Sequence, residues 1–248
     1  MLKARLTNVE EWKSILSAIS DIAEDAIFIS SKDGVTFRGL DSNQMALLDV
    51  NFPKKSFKKL EATVSHFGVK INDFSRILSF AKEGDVIEFK KIDRKFMKII
   101  IKSDMKMEYK LHLIQRQKSY VPIPDGTYES RLSLELDRLD QILTNIHQMS
   151  KFVKIQCFSK KVVFSGEGNI GEAKINLNEK NSELKLLTTK KISSATYDLA
   201  YISKILRNIG KASKMVNLEY SNNNPIHIAF DMESKTQVNY YLAPNNKE

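Results

Sequence analysis

The chain carries a copy of itself. Ile15, Leu16, Ile19, Val35, Phe37 and Gly39 recur 127 positions later as Ile142, Leu143, Ile146, Val162, Phe164 and Gly166. Ser75-Arg76-Ile77-Leu78 recurs 128 positions later as Ser203-Lys204-Ile205-Leu206. The near-constant offset covers an amphipathic helix, a strand pair and a second helix, in the same order. A chain of 248 residues built this way is two similar domains, each close to the usual size of about 100 residues or more. Paired domains of this kind suit a partner that is extended or symmetric.

Four segments carry the helical period of apolar residues. Trp12, Ile15, Leu16 and Ile19 form the first stripe, with Asn8 as its cap and Glu11 three residues on. Phe74, Ile77, Leu78 and Ala81 form the second, after Asn72; Leu136, Leu139, Ile142, Leu143 and Ile146 form the third. The fourth is Leu199, Ile202, Ile205, Leu206 and Ile209, with Asp198 as cap and Gly210 at its end. Most of the remainder alternates with period two, as in Met107, Tyr109, Leu111 and Leu113, or Ala173, Ile175 and Leu177. Turn signals such as Lys32-Asp33-Gly34 separate the runs. Strands outnumber helices and do not alternate strictly with them, which predicts an α+β fold with two helices packed on antiparallel sheets in each half. The stretch 114–126 holds two prolines and a glycine and reads as an extended connector between domains spanning 1–113 and 127–248.

The net charge is +9, with an isoelectric point near 9.4. Such a surface favours an acidic partner such as nucleic acid. Basic residues off the apolar stripes sharpen this: Lys13 on the first helix, Arg76 on the second, Arg138 on the third, and Lys204, Arg207 and Lys211 on or just beyond the fourth. Arg76 and Lys204 occupy equivalent positions of the repeat. Cations on helices whose other face packs on a sheet can follow phosphates without reading bases. The single cysteine, Cys157, cannot form an internal disulfide and sits in a strand-like run, so a buried thiol in a reducing, cytosol-like compartment is expected. No signal-peptide pattern opens the chain, and no apolar run reaches the roughly 18 residues of a membrane span. His66, His112, His147 and His227 are scattered outside metal-ligand spacings, and phosphate-loop, dinucleotide and nucleophile-elbow motifs are missing. The cluster of Gly166, Gly168 and Gly171 lies between strand-like runs and reads as a turn. Neither catalysis nor a cofactor or metal is expected, and an enzyme on a duplicated scaffold is the weaker reading.

Several segments resemble a known family. Gly34 to Val50, GVTFRGLDSNQMALLDV, is similar to the stretch around (M/L)-D-(S/P)-x-x-V-(A/S)-L-(V/L) in sliding clamps of the proliferating cell nuclear antigen type. Val238 to Pro244, VNYYLAP, resembles that family's C-terminal signature. Ile123-Pro124 followed by Tyr128 resembles the exit of its interdomain connector, and Asn224-Pro225-Ile226 its short proline turn. The resemblance runs from end to end. It implies three subunits closing into a ring around duplex DNA, with helices lining the hole and sheets forming the outer wall. By family position, the strand bearing Met107, Tyr109 and Leu111 would pair with the strand bearing Ala173, Ile175 and Leu177 of the next subunit.

The resemblance also implies a role: a processivity factor that tethers DNA polymerase without reading sequence. It would serve the clamp loader, flap nuclease and ligase as well, all through short hydrophobic and aromatic peptides. The implied docking groove includes Leu40, Gln44, Met45, Leu47, Val121, Ile123, Pro124, Tyr128, Pro225, Tyr241, Ala243 and Pro244; for Leu47 and Tyr241 a strand-core role competes. The short tail after Pro244 suits an archaeal source, hence a cytoplasmic location, or a nuclear one if the source is eukaryotic. Two departures stand out. The family is usually acidic outside its hole, whereas Lys54-Lys55, Lys58-Lys59, Lys90-Lys91 and Arg94-Lys95 fall on presumed outer strands and loops. Ser20, Ser79, Gln141 and Thr144 are neutral where the family's inner helices are often basic. A homotrimeric clamp is the leading expectation; a heterotrimer subunit, or a clamp-fold docking adaptor that does not encircle DNA, are the alternatives.

Overall fold

The computed structural model describes residues 1–6, 8–116, 121–124, 126–178, 180, 182 and 184–245. The expected connector lies partly outside these residues, at 117–120 and 125, as does the end of the tail, 246–248. The chain forms two compact units, Met1–Pro122 with Asp231–Val238, and Ile123–Phe230 with Asn239–Glu248.

The N-terminal unit runs β1 (Leu2–Leu6), α1 (Val9–Ile22), β2 (Asp25–Ser31), β3 (Gly34–Leu40), β4 (Ala46–Pro53), β5 (Phe57–Ala62), β6 (Ser65–Lys70), α2 (Ile71–Ser79), β7 (Val86–Lys91), β8 (Phe96–Lys102) and β9 (Lys106–His112). The C-terminal unit runs β10 (Ser130–Glu135), α3 (Leu136–His147), β11 (Phe152–Phe158), β12 (Lys161–Gly168), β13 (Gly171–Asn178), β14 (Leu184–Thr189), β15 (Ser193–Asp198), α4 (Leu199–Ile209), β16 (Met215–Tyr220) and β17 (Ile226–Asp231), and β18 (Gln237–Leu242) follows. The duplication is visible in the sheets. Strand order β5-β1-β7-β8 of the first unit matches β14-β10-β16-β17 of the second, and β4-β3-β2-β6 matches β13-β12-β11-β15.

Local chemistry accounts for the helix starts. Asn8 Oδ1 accepts the Glu11 N–H at 3.0 Å, and Asp198 Oδ1 accepts the Ala200 N–H at 2.8 Å. Each such cap is worth about 1 kcal/mol. Glu11 does not close the reciprocal bond expected of it. It is 2% exposed and accepts from the Ser234 hydroxyl and, at 3.3 Å, from the Ser234 N–H. Ser56 Oγ also donates to Ser234 O at 3.0 Å. These buried bonds hold 231–238 in the N-terminal unit, so a single cut in the connector does not describe the division of the chain. The second helix begins at Ile71, which places Asn72 inside it, and Ala81 is buried just past its end.

Trp12 anchors the first core. It stacks on Phe52 of β4 at 4.0 Å and meets Phe89 of β7 edge-on at 5.8 Å, so one α1 side chain joins both groups of strands. In the second core Tyr197 and Tyr220 meet at 90°, and the Tyr220 hydroxyl donates to Ile155 O at 3.1 Å. Burial pushes both phenols far up, and the thiol of the buried Cys157 up as well. The repeated glycines do the same work in each unit. A Cβ on Gly39 would lie 3.2 Å from Ile22 Cγ2 of α1, and one on Gly166 only 2.5 Å from Ile146 Cγ2 of α3. Their missing side chains let a strand approach the last turn of the helix.

Candidate nucleic-acid interface and docking residues

Each helix buries one stripe and leaves one face outside, and the outer faces differ. α4 is the basic one: Lys204, Arg207 and, just past its end, Lys211 are exposed. They form one wall of an open groove against α3. The other wall is acidic and polar, with Asp137, Asp140, Thr144 and His147. Arg138, expected beside the α4 cations, is half-buried. Its Nη1 reaches Gln141 Oε1 at 3.4 Å, and its Nε is buried without a hydrogen-bond partner among the described residues.

On α2, Arg76 keeps 73% of its side chain exposed and pairs with Asp73 one turn back. Lys13 of α1 is different from the sequence-based expectation. Its ammonium donates to Glu10 Oε1 at 2.9 Å and to Ala81 O at 2.6 Å, with only 27% of the side chain exposed. That carbonyl lies just beyond α2, so Lys13 ties the two helices together and is a structural contact before it is a phosphate contact. The helices of the N-terminal unit also carry Glu10, Asp21 and Asp73 on their outer faces. The positive helical face therefore concentrates on α4.

The strands expected at a subunit seam lie at sheet edges. β9 ends the order β5-β1-β7-β8-β9, and β13 ends β13-β12-β11-β15. Met107, Tyr109, Ala173 and Ile175 are half-buried, as an edge awaiting a partner would leave them. Leu111 at 7% exposure and Leu177 at 0% are instead core of their own unit. Phe80, 55% exposed just after α2, stacks on the half-buried Tyr109 of β9 with ring centres 6.1 Å apart, an aromatic contact that the stripe pattern did not single out.

The expected docking residues divide between the units. In the N-terminal unit Leu40 ends β3 and is 38% exposed. Asp41 then organises the turn to β4, accepting the N–H groups of Met45 at 2.8 Å and Ala46 at 2.7 Å. Gln44, exposed, takes a positive φ of 59° in that turn, and Met45 is half-buried. Leu47 is 4% exposed and packs in the core of its unit. Arg38 Nη1 donates to Val121 O at 3.2 Å and fixes that residue to β3.

In the C-terminal unit Ile123, Pro124, Pro225, Ala243 and Pro244 are partly exposed. Tyr241 is 8% exposed because His227 covers it, ring centres 4.7 Å apart, and His227 in turn stacks on Tyr128 at 5.8 Å. Burial first, then the nearby Tyr241 and Glu219, pushes the Tyr128 phenol up to about 12. His227 is held between Glu219 and Asn239, each at 2.9 Å. It is the residue that isolated histidines in the sequence could not reveal; its cross-strand neighbour Glu219 appears only once β16 and β17 are in register. Among the described residues no group of three or more His, Cys, Asp or Glu side chains is placed to hold a metal, and no helix is long and apolar enough to cross a membrane.

Residues 1–119 match the family described as proliferating cell nuclear antigen, N-terminal domain, and residues 122–245 match its C-terminal domain. The chain belongs to the proliferating cell nuclear antigen family. Similar relatives include the DNA polymerase sliding clamps of Cenarchaeum symbiosum, 31% identical, and Nitrosopumilus maritimus, 30% identical, each match covering 97% of both chains. The crystal structure of the family protein from Thermococcus kodakaraensis superposes with a TM-score of 0.93 at 20% identity, covering 99% of this chain and all of that one. The family's duplicated α+β fold is thus present over the whole length, with archaeal relatives.

Proposed function

We propose that this chain is a DNA sliding clamp: three copies close into a ring on duplex DNA and tether DNA polymerase and other replication and repair enzymes, with no reaction of their own. The observation that carries the reading is the pair of edge strands, β9 in one unit and β13 in the other, in a chain that belongs to a clamp family and presents a basic helical face on α4. Backbone pairing of β9 with β13 of the next copy would remove both edges, which otherwise invite uncontrolled association. Met107, Tyr109, Ala173 and Ile175 supply the apolar part of that seam. Lys204, Arg207, Lys211 and Arg76 contact phosphates only, so binding is independent of base sequence. Leu40, Gln44 and Met45 on the one unit, and Ile123, Pro124, Pro225, Ala243 and Pro244 on the other, are the residues we assign to short aromatic and aliphatic peptides of the polymerase, clamp loader, flap nuclease and ligase.

The chain's charge of +9 opposes assembly at low salt. At moderate salt, light scattering should give three times the 28.4 kDa chain mass. Ile175→Asp, which puts a charge into the seam, should give the monomer. The assembled protein should stay on closed circular DNA and leave it on linearisation. A wild-type monomer at micromolar concentration would overturn self-assembly and point to a subunit of a mixed ring.

A further inference from the structure

The N-terminal unit carries its positive charge on the sheet rather than on its helices. The outward positions of the β5-β1-β7-β8-β9 sheet stand in rungs, and one rung is almost entirely lysine. Lys3 faces Lys90, Lys90 faces Lys98, and Lys98 faces Lys110. Four lysine backbone positions thus lie in a row across four adjacent strands, about 14 Å long at roughly 4.8 Å per strand; within it Lys98 leans to Glu108 and Lys110 lies over the Phe96 ring. Only Glu61, opposite Lys3 at the end of the row, is acidic.

Like charges directly opposed across strands are unfavourable, and the rest of the sheet relieves this row only in part, at Lys98. In the neighbouring rung Glu88 is held by Arg5 at 2.5 Å and Lys102 at 3.2 Å, while Glu108 is shared by Lys106 at 2.6 Å and Lys98 at 2.7 Å. Lys3 and Lys90 form no ion pair with the described residues. Lysines on an edge strand are explained by protection against aggregation, but β1, β7 and β8 are interior strands. Solubility needs dispersed charge, not an aligned row.

We propose that this lysine row is a second nucleic-acid site, on the sheet face of the N-terminal unit, which binds the phosphate backbone of duplex DNA. A duplex is a rod bearing one phosphate charge per about 1.7 Å of axis, and a row of lysines on long flexible stems can follow it without needing base contacts. Single strands are bound on open aromatic platforms. Here the nearby ring, Phe96, is covered by Lys110 at 3.9 Å and by His112 at 4.7 Å. An acidic peptide would look for a buried apolar anchor, whereas the hollow beside Lys3 is lined mainly by the charged side chains of Arg5, Lys59, Glu88 and Lys102.

The test uses the full-length protein and a short fluorescent duplex blocked at both ends by bound streptavidin, so that it cannot be threaded through a closed ring. The variant is Lys3→Gln, Lys90→Gln, Lys98→Gln and Lys110→Gln together. Its log–log salt slope should be smaller by up to about 3.6, at about 0.9 per phosphate contact, and its melting temperature should change little, because the lost Lys98–Glu108 pair and the relieved repulsion act in opposite directions. A salt slope unchanged from wild type would overturn the proposal. So would binding of polyglutamate in place of the duplex, which would make the face a protein-docking surface. If the fourfold variant melts early, Lys90→Gln alone, which removes no ion pair, should still lower the slope by about 0.9; no change there overturns the proposal equally.

Discussion

Replacing Lys204, Arg207 and Lys211 of the α4 face by alanine separates phosphate contacts from structural ones. All three side chains are exposed, on a helix whose buried face is Leu199, Ile202, Ile205, Leu206 and Ile209. Alanine is the best helix former, and none of the three contributes to the buried stripe, so the fold should survive. Three lost contacts lower the log–log salt slope by about 2.7 at about 0.9 each. Over a fourfold rise in salt, that removes about a 40-fold part of the loss in affinity seen with the wild type. The companion variant is Lys13→Ala. Its ammonium is committed to Ala81 O and Glu10, so it should leave the slope nearly unchanged and lower unfolding stability by about 1 kcal/mol. Fluorescence anisotropy over a salt series, beside chemical denaturation, reads both effects. If the triple variant keeps the wild-type slope, or Lys13→Ala lowers it as much as one α4 residue does, the division of roles between α1 and α4 is wrong.

Gly166→Ala should destabilise by about 1–3 kcal/mol or more in chemical denaturation, because the new methyl must displace Ile146 Cγ2 at 2.5 Å and Phe152 O at 2.8 Å; Gly84→Ala, in open space at a φ of +89°, should lose only about 1 kcal/mol. Hydrogen bonds from Lys106 and Lys98 hold the Glu108 carboxyl down at about 2, against 4.5 unperturbed. A folded-state value below the unfolded one means this contribution is complete above pH 4.5 and is lost as pH falls toward 2. Glu108→Gln should therefore flatten the acid limb of stability in that window, and an unchanged limb would show that the lysines do not hold the carboxylate.

Period and local hydrogen bonding were legible in the sequence. The four stripes, the caps Asn8 and Asp198, and the alternation of β9 and β13 depend on residues within one or two turns of each other, and the repeat offset announced the duplication that the two matching strand orders display. The basic residues of α4 were equally legible, since a polar face follows once the apolar face is known.

What a side chain meets across the fold was not. Lys13 and Ala81 are 68 positions apart, and only the packing of α1 against α2 turns a surface lysine into a helix tie. Leu47, Leu111 and Leu177 look like any alternating strand residue until the layer above them is in place. Glu11 reads as a capping partner, yet the return of 231–238 makes it a buried acceptor. The lysine row shows the limit most clearly. Alternation tells that Lys3, Lys90, Lys98 and Lys110 point outward, but their alignment depends on register between strands up to 87 positions apart, and register is decided by the buried faces of β1, β7, β8 and β9 packing together rather than by the lysines themselves.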